Sequence, residues 1–292
     1  MNKPRISILM GVYNGERHVQ QAIFSILAQD YEDFELIIIN DGSTDGSLAK
    51  IKQIQDPRMI IIDQENQGLT KSLNNGLKIA KGDLIARQDA DDISLVNRLS
   101  TQINALDVDP ELGLLGCSMY ISNSKGTFNE IFHYPCSYSD IKQAIFSYNP
   151  FIHGAMVIRK ELLVELGGYN EDFRYVQDYE LWSRLVFKTK CENLPQPLYA
   201  RLREGDCSET SVDKSSYVEA IQKNLNAAHT SDKGVKPKAI KAESIYPYIG
   251  WPFNHCKPLS QTFKKMTKVA KKHACSFKQY KKNSTKYFPW SI

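Results

Sequence analysis

The chain has 292 residues, enough for one large domain or a domain with an extension, and for a sizeable core without disulfides or metal. Apolar residues make up 42% and charged residues 24%, which excludes a disordered chain, a collagen-like chain and a small disulfide scaffold. No run of 18 apolar residues occurs, so we expect no membrane-spanning helix. The N-terminus shows no signal-peptide pattern, which predicts a cytoplasmic protein.

The net charge of +4 conceals an asymmetry along the chain. Residues 244–292 contain ten lysines and no Asp, Glu or Arg. The remaining residues hold 27 basic and 33 acidic side chains, so the body carries about −6 and the tail about +10. This split predicts two parts with different partners.

The first ninety residues alternate between strand and helix patterns. The segment at 34–39 is nearly continuous in Leu and Ile, as expected of a parallel strand that is covered on both faces. Successive strand–helix–strand crossovers predict a doubly wound, mostly parallel α/β sheet. We predict strands at 6–13, 34–39, 59–62 and 83–87, and helices at 16–29, 44–54 and 69–80.

The pattern loosens after residue 110. A segment rich in Ser, Asp and Glu at 204–216 predicts a domain boundary, with a catalytic-type domain at 1–210 and a basic, aromatic extension at 211–292. Further strands are predicted at 112–121, 154–159 and 198–203, and further helices at 139–146, 160–166, 177–187 and 260–274.

Polar residues follow three of the predicted strands. Ligands of open α/β sheets bind beyond the carboxyl ends of the strands, so these residues should converge on one edge. They are Tyr13 to Glu16 after the first strand, Asn40 to Asp45 after the second, and Asp89 to Asp92 after the fourth.

The sequence Asp89-Ala90-Asp91-Asp92 is the sharpest of these signals. Three carboxylates within four residues repel one another, and a hard divalent cation such as Mg²⁺ would stabilise them. The alternative is a solvated loop that caps a helix beginning near Ser94. The residues alone leave both readings open.

The stretch Asn40 to Asp45 has two readings as well. It can be a turn that starts a helix, or Asp41 can accept a hydrogen bond from a nucleotide base or hold a ribose. No G-x-G-x-x-G follows the first strand and no G-x-x-x-x-G-K-[ST] occurs, which argues against a dinucleotide-binding fold and a P-loop NTPase.

Taken together, the motifs over residues 5–203 resemble those of family 2 glycosyltransferases, which have the GT-A fold and use an inverting mechanism. Single motifs are weak, but seven in the same order and spacing are specific. They are Met10 to Glu16, Asn40 to Asp45, Asn66 to Leu69, Asn74 to Gly76, Ala80 to Asp83, Asp89 to Asp92 and Asp178 to Trp182.

The resemblance implies a nucleotide-sugar donor and a role for each matched residue. Tyr13 would pack on the base, Asp41 would hydrogen-bond it, and Asp89 would lie near the ribose or sugar. Asp91 would coordinate Mg²⁺ or Mn²⁺ on the diphosphate, and Asp178 would be the general base. The donor-binding residues implied are Val12, Tyr13, Asn14, Glu16, Asp41, Asn66, Gly68, Lys71, Asp89 and Ala90.

Two positions depart from the family pattern. The residue before the base is often acidic, but here it is Gln177. Many relatives have an Arg where this chain has Leu73, so Lys71 would contact phosphate instead, or would be a solvated helix lysine. Apart from the resemblance, Asp178 at a helix N-terminus is explained as well by capping, which stabilises by about 0.5–2 kcal/mol.

Three further residues are candidates for contacts with the acceptor, the donor sugar or the diphosphate. His153 would face a sugar, or would be a hydrogen-bonded structural histidine. Trp182 would stack on an acceptor sugar, or would belong to the core. Arg203 or its neighbour Arg201 would reach the diphosphate, since guanidinium groups suit phosphate oxygens, or would be an ordinary surface residue.

The tail combines a lysine-rich amphipathic helix with aromatic flanks. This pattern favours an anionic membrane surface, where each lysine is worth about 1 kcal/mol. Packing of the aromatic residues on the body is the main alternative. We expect no nucleic-acid partner, because the tail has no arginine.

The sequence therefore predicts a transferase that moves a hexose or N-acetylhexosamine, most simply from a UDP-sugar, to an oligosaccharide or undecaprenyl-linked acceptor in surface polysaccharide synthesis. The protein would be cytoplasmic and peripheral on the inner face of the cell membrane. The alternatives are a sugar-phosphate nucleotidyltransferase, although its glycine-rich, arginine-containing loop is missing, and a non-catalytic nucleotide-sugar or glycan-binding scaffold.

Overall fold

The computed structural model describes residues 3–122, 128–202, 214–231 and 257–272. The strands of this part of the chain form one continuous sheet in the order β3-β2-β1-β4-β8-β6-β9-β5, with β7 paired to β6. They are β1 (Ile6–Val12), β2 (Phe34–Asp41), β3 (Met59–Gln64), β4 (Leu84–Arg87), β5 (Ile93–Ser94), β6 (Leu112–Ser122), β7 (Phe128–Phe132), β8 (Val157–Arg159) and β9 (Lys190–Arg201).

The helices cover both faces of this sheet. The apolar residues of β1 and β2 are buried on both sides, which explains their near-continuous Ile and Leu. The helices are α1 (Val19–Leu27), α2 (Ser47–Lys52), α3 (Leu69–Ile79), α4 (Arg98–Val108), α5 (Tyr138–Ala144), α6 (Lys160–Glu165), α7 (Gln177–Leu185), α8 (Ser215–Ser231) and α9 (Lys257–Lys272).

The first four strands confirm the predicted parallel sheet. Strand β1 pairs in parallel with β2 and β4, and β2 pairs in parallel with β3. The intervening helices α1, α2 and α3 are the predicted crossovers, each shorter than its predicted range. The loops that follow β1, β2 and β4 therefore lie at one edge, as expected for carboxyl ends of parallel strands.

The second half of the sheet is mixed. Strand β8 is antiparallel to both β4 and β6, whereas β6 and β9 are parallel. The predicted strand at 154–159 begins with a 3₁₀ turn at His153–Ala155, and only Val157–Arg159 is extended. Strand β9 starts at Lys190, well before the predicted residue 198. The sequence did not predict residues 190–197 as a strand because they include Glu192, Gln196 and two prolines and contain no apolar run.

The extension contributes two helices to the described part of the chain. Helix α8 buries Ile221 and Leu225 in the cluster that contains α7. Helix α9 buries Met266 against the cluster that contains α1, and Thr262 Oγ1 accepts a hydrogen bond from the Val96 backbone N–H at 2.9 Å. The predicted boundary lies within residues 203–213, outside the described residues, so the division into two domains stays a prediction.

One residue of the predicted apolar stripe of α9 packs on the body of the protein. The sequence left this stripe to a membrane surface or to packing on the body, and the Met266 side chain is fully buried by the body. The lysines Lys264, Lys265, Lys268, Lys271 and Lys272 are exposed. In the described ranges, none of the helices is both long and apolar enough to cross a membrane.

Asn74 joins helix α3 to the segment that leads to α7. Its Nδ2 donates to the Tyr169 carbonyl at 2.9 Å and to Glu171 Oε1 at 3.0 Å, and its Oδ1 accepts from the Tyr169 N–H at 2.9 Å. Thr70 Oγ1 adds a bond to the Phe173 carbonyl at 2.9 Å. The start of α3 and the residues before α7 are thus held together.

Substitution of Met266 tests whether α9 stabilises the body. Met266→Ala should lower the free energy of unfolding by about 2–5 kcal/mol, because it removes a fully buried side chain. Lys268→Ala, on an exposed position of the same helix, is the matched control and should change it by less than about 0.5 kcal/mol. Urea unfolding measures both, and equal midpoints for the two variants would show that α9 is not docked.

Asn74→Ala should loosen the segment before α7. It removes hydrogen bonds to Tyr169 and Glu171 and leaves buried backbone groups without a partner, which costs about 1–3 kcal/mol. Hydrogen–deuterium exchange should show faster exchange of the Tyr169 amide than in the wild type. Lys78→Ala, also on α3 but exposed, should leave that rate unchanged; equal rates in both variants would contradict the link.

Candidate active site

The acidic loop after β4 holds its three carboxylates in different environments. Asp92 is buried, and its Oδ1 accepts the Leu202 backbone N–H at 3.2 Å. Burial raises the pKa of Asp92 well above the ordinary value, and repulsion from Asp91 and Asp89 raises it further. Ser94 lies in a strand and α4 begins only at Arg98, so this loop does not cap a helix at Ser94.

Asp91 is the carboxylate of this loop that is most open to solvent. Its pKa is nevertheless raised, first because surrounding protein atoms restrict its hydration and then because of Asp89. A cation beside two neighbouring carboxylates would favour their charged forms. Hard divalent cations suit such oxygen ligands.

The protein alone offers few ligands to a metal ion. Within the described ranges, no group of three or more His, Cys, Asp or Glu side chains is arranged to hold one. Mg²⁺ and similar ions commonly use one or two carboxylates and complete their coordination with water and substrate phosphates. The environment of Asp91 fits that mode, in which the substrate supplies the remaining oxygens.

Asp89 is fixed by a fully buried arginine. Arg87 Nη2 donates to Asp89 Oδ1 at 2.7 Å, and Arg87 Nη1 donates to the Leu9 carbonyl at 2.5 Å. The Asp89 backbone N–H donates to the Tyr199 hydroxyl at 3.2 Å. Asp89 is therefore tied to β1, β4 and β9, while 31% of its side chain remains exposed.

His153 supports this arginine. Its Nε2 lies 3.1 Å from Arg87 Nε, which donates to it, and 2.8 Å from the Tyr169 hydroxyl. Burial lowers the pKa of His153 well below its usual value, and Arg87 lowers it further, so the ring is neutral. The structure gives His153 a positioning contact to Arg87; contact with a sugar stays a prediction.

Trp182 belongs to the core, one of its two predicted roles, and does not stack on an acceptor sugar. Its side chain is 0% exposed. The ring packs edge-on against Phe151 and His153, with centroid distances of 5.8 and 6.0 Å. No ring face is open to a ligand.

Asp178 lies at the start of α7 and is partly buried. Burial raises its pKa, and Asp89 raises it further; hydrogen bonds from the Tyr179 backbone N–H and from Asn149 oppose this. Asn149 Nδ2 donates to Asp178 Oδ2 at 2.7 Å. Asp89 and Asp178 interact electrostatically, so the acidic loop after β4 and the start of α7 lie near each other although they are distant in the chain.

The residue at the N-terminal boundary of α7 has an unusual backbone. Val176 has φ +51°, a left-handed conformation that is rare for a β-branched residue. Such strain persists only where surrounding contacts hold it, and it concentrates at functional sites. The strained residue immediately precedes Gln177-Asp178.

The loops after β1 and β2 are bonded to each other. Asn14 N–H donates to Ser43 Oγ at 3.1 Å, and the Thr44 N–H donates to Asn14 Oδ1 at 2.8 Å. Glu16 Oε2 accepts the Gly46 N–H at 3.1 Å. Tyr13 projects from this pair of loops with 56% of its surface exposed, which leaves its ring free to pack on a flat ligand.

Val12 and Ala90 expose less side-chain surface at the candidate site than Tyr13 does. The Val12 side chain is buried, so any ligand contact from Val12 must come from its backbone. Ala90 is partly buried, and its Cβ lies close to Gly15 in the loop after β1. The acidic loop and the β1 loop are therefore neighbours.

The carboxylate of Asp41 accepts most of its hydrogen bonds from groups within the protein. Its carboxylate accepts the Gln67 N–H at 2.9 Å, the Gly68 N–H at 2.8 Å and Gln64 Nε2 at 2.8 Å. A carboxylate offers about four acceptor positions, so about one remains for a base. Asp41 shapes the loop before α3.

That loop carries the other predicted donor contacts. Asn66 is exposed and its Nδ2 donates to the Asp41 carbonyl at 3.0 Å. Gly68 has φ +86°, which favours glycine, and Lys71 is exposed in the first turn of α3. All three lie at the edge where β1 and β2 end.

The sequence reasoning missed several supporting residues. These are Arg87, which holds Asp89, and Asn149, which holds Asp178. Arg201, a sequence candidate for the diphosphate, lies at the end of β9 and lowers the pKa of both Asp91 and Asp92. An arginine inside an otherwise apolar strand next to an acidic cluster was the available signal for Arg87. Arg203 lies outside the described residues.

Comparisons with known proteins agree with this geometry. The chain is 29% identical over 257 residues to the O-antigen biosynthesis glycosyltransferase WbnJ of Escherichia coli, covering 87% of this chain and 96% of the relative. It matches the structure of S. aureus TarS 1-349 in complex with UDP with a TM-score of 0.59 and 16% identity, covering 97% and 89% of the two chains.

A second solved structure is the mannosyltransferase PcManGT from Pyrobaculum calidifontis in complex with GDP-Man and Mn²⁺. The TM-score is 0.55 at 16% identity, covering 99% of this chain and 84% of that one. The two structural matches confirm the GT-A fold. The sequence profile described as Glycosyl transferase family 2 matches residues 7–167, more than half of the chain. The chain therefore belongs to glycosyltransferase family 2 and is a glycosyltransferase.

Proposed function

We propose that this protein transfers a hexose or N-acetylhexosamine from a UDP-sugar to a glycan acceptor, with inversion and with a divalent metal. The observation that carries the proposal is the interaction of Asp89 with both Asp91 and Asp178, whose pKa values are raised first by burial and then by the charge of Asp89. One carboxylate suits a cation and the other suits proton transfer.

The donor would bind across the loops that follow β1, β2 and β4. Tyr13 would pack on the base, and the remaining acceptor position of Asp41 would meet a base N–H. Lys71 and Arg201 lie at the same edge and would contact phosphate oxygens. Support comes from TarS, which was solved with UDP, and from PcManGT, which was solved with GDP-Man; this support does not distinguish uracil from guanine.

Asp91 would hold Mg²⁺ or Mn²⁺ together with the donor diphosphate. The bound metal would offset negative charge on the departing nucleoside diphosphate. The complex of PcManGT with Mn²⁺ supports this choice of ion.

Asp178 would act as the general base. Its carboxylate takes the proton from the acceptor hydroxyl while that oxygen forms a bond to the anomeric carbon, on the face opposite the leaving group. The bond from the anomeric carbon to the diphosphate oxygen breaks, and the nucleoside diphosphate leaves with the electron pair. Asn149 and Asp89 set the position and basicity of Asp178.

The acceptor is proposed to be an oligosaccharide or an undecaprenyl-linked saccharide of a bacterial surface polysaccharide. The name of WbnJ, an O-antigen biosynthesis enzyme, supports this class of pathway. The exposed lysines of α9 would approach an anionic membrane through charge alone, because the apolar side of the helix contacts the body.

Replacement of Asp91 tests the metal site. Asp91→Asn removes the exposed charge, so the Mn²⁺ concentration for half-maximal transfer should rise by about tenfold or more, in proportion to the lost attraction. Asp107→Asn, an exposed carboxylate elsewhere, is the control. An unchanged Mn²⁺ dependence in Asp91→Asn would exclude Asp91 as the ligand.

The pH dependence of transfer tests Asp178. A base acts when deprotonated, so kcat/KM should fall as pH falls through a pKa above the ordinary aspartate value of about 3.9. Asn149→Ala removes a hydrogen bond that lowers this pKa and should move the acid limb to higher pH. Asp178→Asn should lower kcat by about 10²–10⁴-fold and keep UDP affinity.

Two results would contradict the assignment of the base. One is transfer by Asp178→Asn at the wild-type rate. The other is an acid limb that stays in place, or moves to lower pH, in Asn149→Ala.

A further inference from the structure

An aromatic and cationic surface lies beside the proposed base. It consists of the rings of Phe173, Tyr175 and Tyr217 with the side chains of Arg174 and Lys214, and is called the Tyr217 surface here. The Tyr217 ring centroid is 5.7 Å from that of Phe173 and 6.1 Å from that of Tyr175. All three rings are partly exposed. Partly exposed, mutually packed rings are a common feature of ligand-binding surfaces.

The Tyr217 surface is held rigidly relative to Asp178. Tyr175 is three residues before Asp178, and the strained Val176 lies between them. The Phe173 carbonyl accepts a hydrogen bond from Thr70 Oγ1 at 2.9 Å. On the other side, α8 carries Tyr217 and is anchored on α7 by buried Ile221.

The charge that the described residues give to this surface is positive. Arg174 lies 5.9 Å and Lys214 6.0 Å from the Tyr175 ring centroid. Neither cation forms an ion pair with a carboxylate of the described residues, including the exposed Asp172 and Glu219 near them in the chain. Uncompensated cations beside open rings favour a ligand that is both flat on one face and anionic.

The Tyr217 surface is separate from the donor loops. Those loops follow β1, β2, β3 and β4, whereas this surface comes from the segment before α7 and from the start of α8, which adjoin the start of α3 at the Thr70–Phe173 hydrogen bond. A base must lie within hydrogen-bond reach of the hydroxyl that it deprotonates, so the acceptor must extend away from Asp178. The rings of the Tyr217 surface lie on the segment that leads to Asp178 and offer partly exposed aromatic faces to such an acceptor.

We propose that the Tyr217 surface binds the acceptor saccharide, with the apolar face of a sugar ring on Tyr217 and Tyr175 and an anionic group of the acceptor at Arg174 and Lys214. The inference rests on the proposed function, because it takes Asp178 as the base. The anionic group is a diphosphate or the carboxylate of an acidic sugar, since both satisfy the same two cations.

The test uses defined acceptor probes in the presence of UDP and Mn²⁺. Saturation-transfer NMR measures the binding of three kinds of probe. They are a sugar linked to octyl through a diphosphate, an octyl uronoside and a neutral octyl glycoside, with glucose or N-acetylglucosamine as the sugar where both are available. The wild type should bind an anionic probe about tenfold more tightly than the neutral one. The preferred probe identifies the diphosphate or the acidic sugar as the source of charge.

Matched variants separate the contributions. Tyr217→Ala should weaken every probe by about tenfold, as loss of a good aromatic contact would, and Tyr217→Phe should restore binding to within about twofold. The double variant Arg174→Ala and Lys214→Ala should lose the preference for anionic probes. Lys223→Ala, an exposed lysine further along α8, should keep it.

Three outcomes would overturn the inference. The wild type would bind UDP but none of the probes, or Tyr217→Ala would bind the probes as tightly as the wild type. The third is a double variant that still prefers the anionic probes. Failure of the wild type to bind UDP with Mn²⁺ is a different result. It would remove the proposed function itself, on which the acceptor surface depends.

Discussion

A fully buried arginine organises the edge of the sheet where the candidate site lies. Arg87 pairs with Asp89, donates to the carbonyl of Leu9 in β1, and donates to the ring of His153. An unpaired charge in this position would cost several kcal/mol, so each of its partners is held at a defined distance. The positions of Asp89, of the 3₁₀ turn at His153 and of the end of β1 all follow from this one side chain.

The same edge contains carboxylates that do not stabilise the isolated protein. Asp91, Asp92 and Asp178 all have raised pKa values because burial and neighbouring carboxylates disfavour their charged forms. A protein selected for stability alone would replace them. These carboxylates occur together, and Asp178 lies two residues after the strained Val176. Metal binding and proton transfer would explain why they occur there.

The parallel half of the fold could be predicted because its signals are local. Apolar runs such as Phe34–Asp41 and the helices between them follow from periodicity. Strand β9 could not, because its pairing with β6 is set by contacts distant in the chain and its first half is polar. The short helix–strand junction at His153 was missed because Arg87 and Tyr199, not local propensity, shape it.

The candidate site, like the fold, could be predicted only in part from the sequence. The resemblance indicated Asp91 and Asp178, but it could not show that Asn149 bonds Asp178 or that Arg87 fixes Asp89, since these contacts join separate segments. The sequence left Trp182 as either an acceptor contact or a core residue, because an aromatic residue on an amphipathic helix has the same pattern in both places. Burial alone distinguishes the two.

The most direct measurement is calorimetric titration of the full chain with UDP, and separately with GDP, in the presence and absence of Mn²⁺. The account predicts UDP binding that requires Mn²⁺, because the carboxylates of Asp89 and Asp91 would repel the diphosphate unless a cation lies between them. Binding of neither nucleotide, or UDP binding of equal strength with and without Mn²⁺, would contradict it.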